Sequence, residues 1–279
     1  MIVDAHQHFW DPDRATYPWL TEDMAAVRRA FTPADLAPSL AAAGVDATIL
    51  IQTRASLDET LESLATAAAT PFIGGVVGWA DLTDPGIGDT VARLRGAPGG
   101  DLLVGIRHQV HDEPDPDWVL RDDVGRGIRA VGEAGLVYDL LVRTRELPAA
   151  LELARRQPST RFVIDHLAKP PIRDRILEPW GERIRPFRAL ENVACKVSGM
   201  VTEADWDAWA PSDLGPYVDH VLEVFGPSRL LFGSDWPLCL VAAPYDRVLA
   251  VAHEVLGGLG DAENAAVFGG TATEIYRLG

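Results

Sequence analysis

The chain has 279 residues, close to the roughly 250 of one closed β/α barrel, and its 47% hydrophobic and 24% charged content describes an ordinary globular protein with a sizeable core. A formal net charge of −16 disfavours nucleic acid and anionic membrane as partners, because the long-range field repels them. Two cysteines, Cys195 and Cys239, supply no disulfide framework, the first residues lack a signal-peptide pattern, and no apolar run approaches the roughly 18 residues of a membrane span, so a soluble, cytoplasmic protein is expected.

Short β-branched runs alternate with helical patterns from one end to the other. Strands are expected at 2–8, 47–53, 72–79, 103–109, 137–142, 161–167, 193–198 and 229–235, with room for a helix in each gap. Several helices carry punctuation. Thr32-Pro33-Ala34-Asp35 supplies a cap and an early proline, and Gly44 a stop. Ser56 and Glu59 have capping-box spacing ahead of Leu57, Leu61 and Leu64. Asp84-Pro85 repeats the cap-then-proline arrangement, and Ser212 is placed to cap a segment ending at Gly226. No linker divides the chain.

This alternation predicts an α/β fold, a single (β/α)₈ TIM barrel over 1–279 with its active site at the C-terminal ends of the strands. A doubly wound open sheet would carry a glycine-rich turn after the first strand, where this chain has His6-Gln7-His8-Phe9-Trp10. The long stretches 10–29 and 111–123 follow strands one and four, where barrel loops line the catalytic face. Both fit substrate-covering loops, and the second fits a plain surface excursion equally well.

His6 and His8 close the first strand. Strand alternation puts them on one face, with Asp4 on the same side. Two imidazoles where a barrel interior normally holds Val, Ile or Leu need a ligand or partners. Strand six ends Ile164-Asp165-His166 and strand eight ends Gly233-Ser234-Asp235. A closed barrel would gather His6, His8, His166 and Asp235 into one pocket, with strands one and eight side by side. Such a set can ligate a divalent ion, or polarise a carbonyl while Asp235 accepts a proton from water.

These motifs, together with GIRHQV, YDLLV, VIDHLAKPPI, CKVSGM, LLFGSDWP and the ending Val267-Phe268-Gly269-Gly270-Thr271-Ala272, resemble the amidohydrolase superfamily over the whole chain. The nearest likeness is to its amidohydrolase 2 branch of sugar-lactone and dicarboxylate-lactone hydrolases. The resemblance implies a hydrolase that opens a sugar-derived lactone, of the L-fucono- or L-rhamnono-lactone type, by Asp235-activated water. His6, His8 and His166 would share the catalytic work. The alternatives are a dicarboxylate lactone, which would want several arginines where the strand ends offer only Arg107, and a metal-dependent decarboxylase of similar architecture.

Two-metal members of the superfamily use a strand-four lysine and a strand-five histidine. Here those strands offer Arg107 with His108 and Tyr138 with Asp139, so the resemblance implies at most one ion, zinc or similar, held by His6, His8, His166 and Asp235. In this branch the ion can be dispensable. Arg107 is the expected contact to substrate oxygens. Gln52 and Asp139 are expected to face substrate hydroxyls, Lys196 to contact the substrate, and Trp10, Trp79 and Trp236 to pack on the sugar ring. Each of these also suits a structural role: Lys196 could pair with Asp165 or Asp139, and tryptophans usually pack the core.

Overall fold

The computed structural model describes residues 1–279. Eight strands, β1 (Val3–Gln7), β2 (Ala47–Ile51), β3 (Ile73–Gly78), β4 (Leu103–His108), β5 (Val137–Leu140), β6 (Arg161–Ile164), β7 (Val193–Val197) and β8 (Leu230–Phe232), form one parallel sheet in sequence order. The sheet closes where β1 meets the end of β8. The His8 amide donates to the Trp236 carbonyl at 2.7 Å and the Asp235 amide to the His6 carbonyl at 2.8 Å. Around the barrel lie α1 (Pro33–Ala43), α2 (Leu57–Ala68), α3 (Ile87–Arg95), α4 (Asp122–Glu133), α5 (Leu147–Arg156), α6 (Trp180–Ile184), α7 (Met200–Glu203), α8 (Pro211–Phe225), α9 (Tyr245–Val255), α10 (Asp261–Ala265) and α11 (Thr271–Tyr276). None of these helices is long and apolar enough to cross a membrane.

The helix signals act largely as expected. Asp35 accepts from the Thr32 amide at 2.9 Å, the Ser56 hydroxyl accepts from Glu59, and Gly44 ends α1 in the left-handed region at φ 66°. Two starts differ. Asp84 accepts from the Gly86 amide and makes a turn, so α3 begins only at Ile87. Ser212 lies inside the first turn of α8, where Asp213 reaches back to the Ala210 amide instead.

Two apolar layers support the barrel. The larger lies between strands and helices. The smaller fills the barrel's lower half with Val3, Ala5, Ile49, Ile51, Val77, Val137 and Val163, and is closed from below by Ala272 and Tyr276 of α11. Above this plug the inward positions turn polar.

Strand one departs from simple alternation. Val3 and Ala5 belong to the interior cluster, yet His6 and His8 also face inward, and the β1–β2 register shifts between Asp4 and Gln7. The added residue of such an irregularity flips the side-chain parity. Asp4 is therefore not on the histidine face. Its carboxylate accepts from the Ser234 amide and from the Tyr245 hydroxyl of α9, tying the β1–β8 closure to the outer layer.

Candidate active site

His6, His8, His166 and Asp235 meet at the C-terminal end of the barrel. The Asp235 Oδ1 lies 3.8 Å from His6 Nε2, 3.4 Å from His8 Nε2 and 3.9 Å from His166 Nε2. Each ring is held from its other nitrogen. His8 Nδ1 donates to the Ile51 carbonyl at 2.8 Å, His166 Nδ1 pairs with the Ser198 hydroxyl at 2.9 Å, and His6 Nδ1 faces Asp165 Oδ1 at 3.3 Å. The Nε2 atoms are thereby turned toward the carboxylate.

Local backbone shape makes this convergence possible. His166, Leu167, Ala168 and Lys169 are successive left-handed residues, with φ of 52°, 55°, 61° and 50°, and Asp235 is left-handed at 59°. Each such non-glycine residue costs roughly 1–2 kcal/mol, and backbone strain of this kind concentrates at functional sites. The turn ends β6 three residues before the apolar run does, and brings both Asp165 and His166 inward where a strand would have separated them. Two glycines make the room. A Cβ on Gly199, itself at φ 61°, would sit 2.6 Å from His166 Nδ1, and one on Gly233 would sit 2.7 Å from the His6 Cβ.

Burial holds the imidazoles of His6 and His166 well below the usual histidine range, against the pull of Asp165 and Asp235 respectively. Both are neutral, the form that binds metal. Burial would raise Asp235, but the nearby His166, His8 and Lys169 together leave it below the usual carboxylate range. It is an ionised acceptor at neutral pH.

The donor set suits a divalent cation. The Nε2 atoms of His6 and His8 stand 3.1 Å apart, and buried Asp235 Oδ1 has no hydrogen-bond partner. Two nitrogens sharing one ion at about 2.1 Å sit roughly 3.4 Å apart in a tetrahedral site, which matches this spacing. His6, His8 and Asp235 form one ligand group, with His166 at its edge. A second group, His6, Asp165 and His166, is geometrically possible. Asp165 is already occupied by cations, though: Lys196 Nζ at 2.9 Å and Arg107 Nη1 at 2.9 Å.

A cavity of about 330 Å³ opens above the cluster. His8, His166, Asp235 and Arg107 line its floor, and Trp10, Trp19 and Met24 of the loop after β1 form one wall. His111 and Asp112 after β4, Arg143 after β5 and Lys169 after β6 form another. Both long loops thus contribute to the site.

The remaining expected contacts fall elsewhere. Lys196 and Asp139 do not line the cavity. They are fully buried beneath His6, with Lys196 Nζ 2.6 Å from Asp139 and 3.4 Å from His6 Nδ1, and the Tyr276 hydroxyl donates to Asp139 at 2.8 Å. Gln52 sits behind Arg107 and donates to Gln109 at 3.0 Å and to the Arg107 carbonyl at 3.3 Å. Trp79 donates to His108 at 3.0 Å, and Trp236 is packed edge-on between Phe9 and Phe31. These two tryptophans do not line the cavity, whereas Trp10 does, together with Trp19. Arg107 reaches the floor but is bound to Asp165, to Gln52 and, at 3.3 Å, to His6 Nε2.

A closed barrel with a His-x-His strand, a strand-six histidine and a strand-eight aspartate around one cavity defines the amidohydrolase architecture. The chain belongs to the amidohydrolase family, whose profile matches residues 3–278. An L-fucono-1,5-lactonase of Burkholderia multivorans is 40% identical to it over 99% of this chain and 96% of the relative. One of Burkholderia ambifaria is 38% identical over 99% and 95%. The crystal structure of an amidohydrolase from Burkholderia multivorans with bound zinc superposes with a TM-score of 0.94 at 39% identity, covering 100% of both chains.

Proposed function

We propose that this protein is a lactonase that opens a sugar-derived lactone, of the L-fucono-1,5-lactone class or a close aldonolactone, to its hydroxy acid. The lactonase relatives, aligned along almost their full length, support the class. The observation that carries the mechanism is the convergence of three Nε2 atoms on the unpartnered Asp235 Oδ1 at the cavity floor. Asp235 accepts the proton of the attacking water, whose oxygen bonds to the lactone carbonyl carbon. Neutral His6 and His166 orient the floor of the site, and the Arg107 guanidinium favours negative charge on the carbonyl oxygen. The ring C–O bond then breaks. Trp10 and Trp19 offer apolar faces to the ring.

One divalent ion per chain, zinc or similar, would be held by His6, His8 and Asp235 with His166 adjacent. When bound it supplies Lewis-acid polarisation and a lower water pKa. The cations on Asp165 leave no room for a second.

A neutral sugar lactone fits better than a dicarboxylate one. Arg143 and Lys169 join Arg107 at the cavity, so cations are more numerous there than the strand ends alone suggested. Arg107 is committed to Asp165 and Lys169 to Glu203, however. Only exposed Arg143 is free for an added carboxylate. A panel of sugar lactones and dicarboxylate lactones followed with a pH indicator tests the reading. Acid release from deoxy-sugar aldonolactones is expected, and acid release from dicarboxylate lactones alone would overturn it.

A further inference from the structure

Both nitrogens of His6 meet a donor and an acceptor at once. Nδ1 lies 3.4 Å from Lys196 Nζ, which can only donate, and 3.3 Å from Oδ1 of ionised Asp165, which can only accept. Nε2 lies 3.3 Å from Arg107 Nη1, a donor, and 3.1 Å from His8 Nε2. The latter is an acceptor, because His8 gives its own ring hydrogen from Nδ1 to the Ile51 carbonyl.

A neutral imidazole carries one hydrogen, so each placement satisfies a different pair of neighbours. With the hydrogen on Nε2, the ring donates to His8 and accepts from Lys196. With it on Nδ1, the ring donates to Asp165 Oδ1, a buried acceptor with no other hydrogen bond, and its Nε2 lone pair is open to Arg107 or to an ion. His6, Asp165 and Lys196 are all fully buried, and no rotation of the ring separates the two forms. The choice is made at Nε2. Without a cation, a bare Nε2 on His6 would face the bare Nε2 of His8 and, at 3.8 Å, the ionised Asp235 Oδ1. Three acceptors would then converge with no hydrogen among them, and a hydrogen on His6 Nε2 removes that conflict. A divalent ion removes it too, but needs the lone pair.

Resting on the one-ion ligand set proposed above, we infer that His6 is a tautomeric switch set by two positioning residues. Lys196 holds the Nε2–H form when no ion is bound, and Asp165 holds the Nδ1–H form that offers Nε2 as a ligand. On loading, the Nε2 hydrogen leaves as a proton to water in the cavity. Nδ1 takes a proton from Lys196, which regains one from solvent, so ring and lysine keep their net charges. The floor around Asp235 is hydrogen-bonded in either state.

Nitrogen-15 labelling of the histidines reads both ring nitrogens by NMR in the wild-type protein at neutral pH, after chelation and again with zinc added. The His6→Gln variant identifies the His6 signals. The hydrogen is expected on Nε2 after chelation and on Nδ1 with zinc. The same placement in both states, or hydrogens on both nitrogens of the chelated protein, would overturn the inference. Asp165→Asn, titrated with zinc against a chelating dye, is expected to weaken zinc binding about 10–100-fold, the usual effect of losing the partner behind a metal-bound histidine. Unchanged affinity would overturn the part given to Asp165, and if circular dichroism shows that variant unfolded, the wild-type spectra decide alone. A wild-type protein that takes up no zinc would sink the ligand set and the switch with it. No lactone enters these measurements, so a failure of the lactonase reading is seen separately, in the turnover panel.

Discussion

Replacing Lys196 with methionine probes the charge network beneath the site. The ammonium lies 2.6 Å from Asp139 and 2.9 Å from Asp165, and all three groups are fully buried. Burial already pushes Asp139 up to about 6, with Lys196 opposing. Methionine fills the same space but leaves two carboxylates sharing a dry interior, and removing one partner of a buried pair costs about 3–5 kcal/mol. Asp139 has an escape, because without the lysine it takes up a proton at neutral pH. The expected loss is therefore at the low end, about 3 kcal/mol at pH 7. Below pH 6 Asp139 is protonated in both proteins, so the deficit shrinks as pH falls from 7 to 5. Adding Asp139→Asn removes one stranded charge while keeping an acceptor for Tyr276, and is expected to restore more than half of the loss. Urea unfolding with unchanged m-values measures all of this. A loss under about 1 kcal/mol, or one that Asp139→Asn does not relieve, would show that the lysine is not what makes the two carboxylates tolerable.

Further outcomes follow from the site itself. Asp235→Asn is expected to lower kcat by about 10²–10⁴ with the fold intact, and near-normal turnover would place the base elsewhere. Elemental analysis is expected to find no more than one divalent ion per chain; chelation should reduce lactonase activity only modestly, because a lactone is an activated ester, and complete loss restored by zinc would contradict this. Gly199→Ala puts a Cβ 2.6 Å from His166 Nδ1 at a residue with φ 61°; it is expected to displace His166 and lower both metal content and activity, and unchanged values would show that the turn yields freely. His111 is lowered from 6.5 to about 3 by burial and then by Lys169, Arg143 and Arg107, so the unfolded chain holds a proton there that the folded chain lacks. Its stability contribution is whole above pH 6.5 and is lost as pH falls toward 3. His111→Gln should flatten the acid-side stability slope by up to about 1.4 kcal/mol per pH unit, and an unaltered slope in acid titration would refute the burial argument.

The barrel was legible because its signals repeat. Eight β-branched runs with a helical period in every gap leave few other arrangements, and an error of two or three residues at one strand end does not alter the topology. Those errors were not random, however. The longest overruns came at β6 and β8, where apolar runs continue past the last sheet residue into left-handed turns at His166 and Asp235. Periodicity reports which residues are buried, and residues 165–168 are all buried. It cannot report that they leave the strand conformation.

The same turns explain what was missed at the site. His6, His8, His166 and Asp235 are polar residues at strand ends, so they stand out against an apolar background. Asp165 does not, because alternation assigns it the face opposite His166, and only the left-handed backbone brings both inward. Asp4 was misplaced for the mirror reason: a register shift in β1 reverses the parity on which its placement rested. His111, Arg143 and Lys169 lie on loops, where no period operates, so the pattern did not mark them. A strained turn needs surrounding structure that over-determines it, and the packing that fixes residues 166–169 comes from β7, Gly199 and Glu203, distant in sequence. Local sequence reading therefore finds the polar residues that end apolar runs, and overlooks the supporting carboxylate that an irregular turn brings inward beside them.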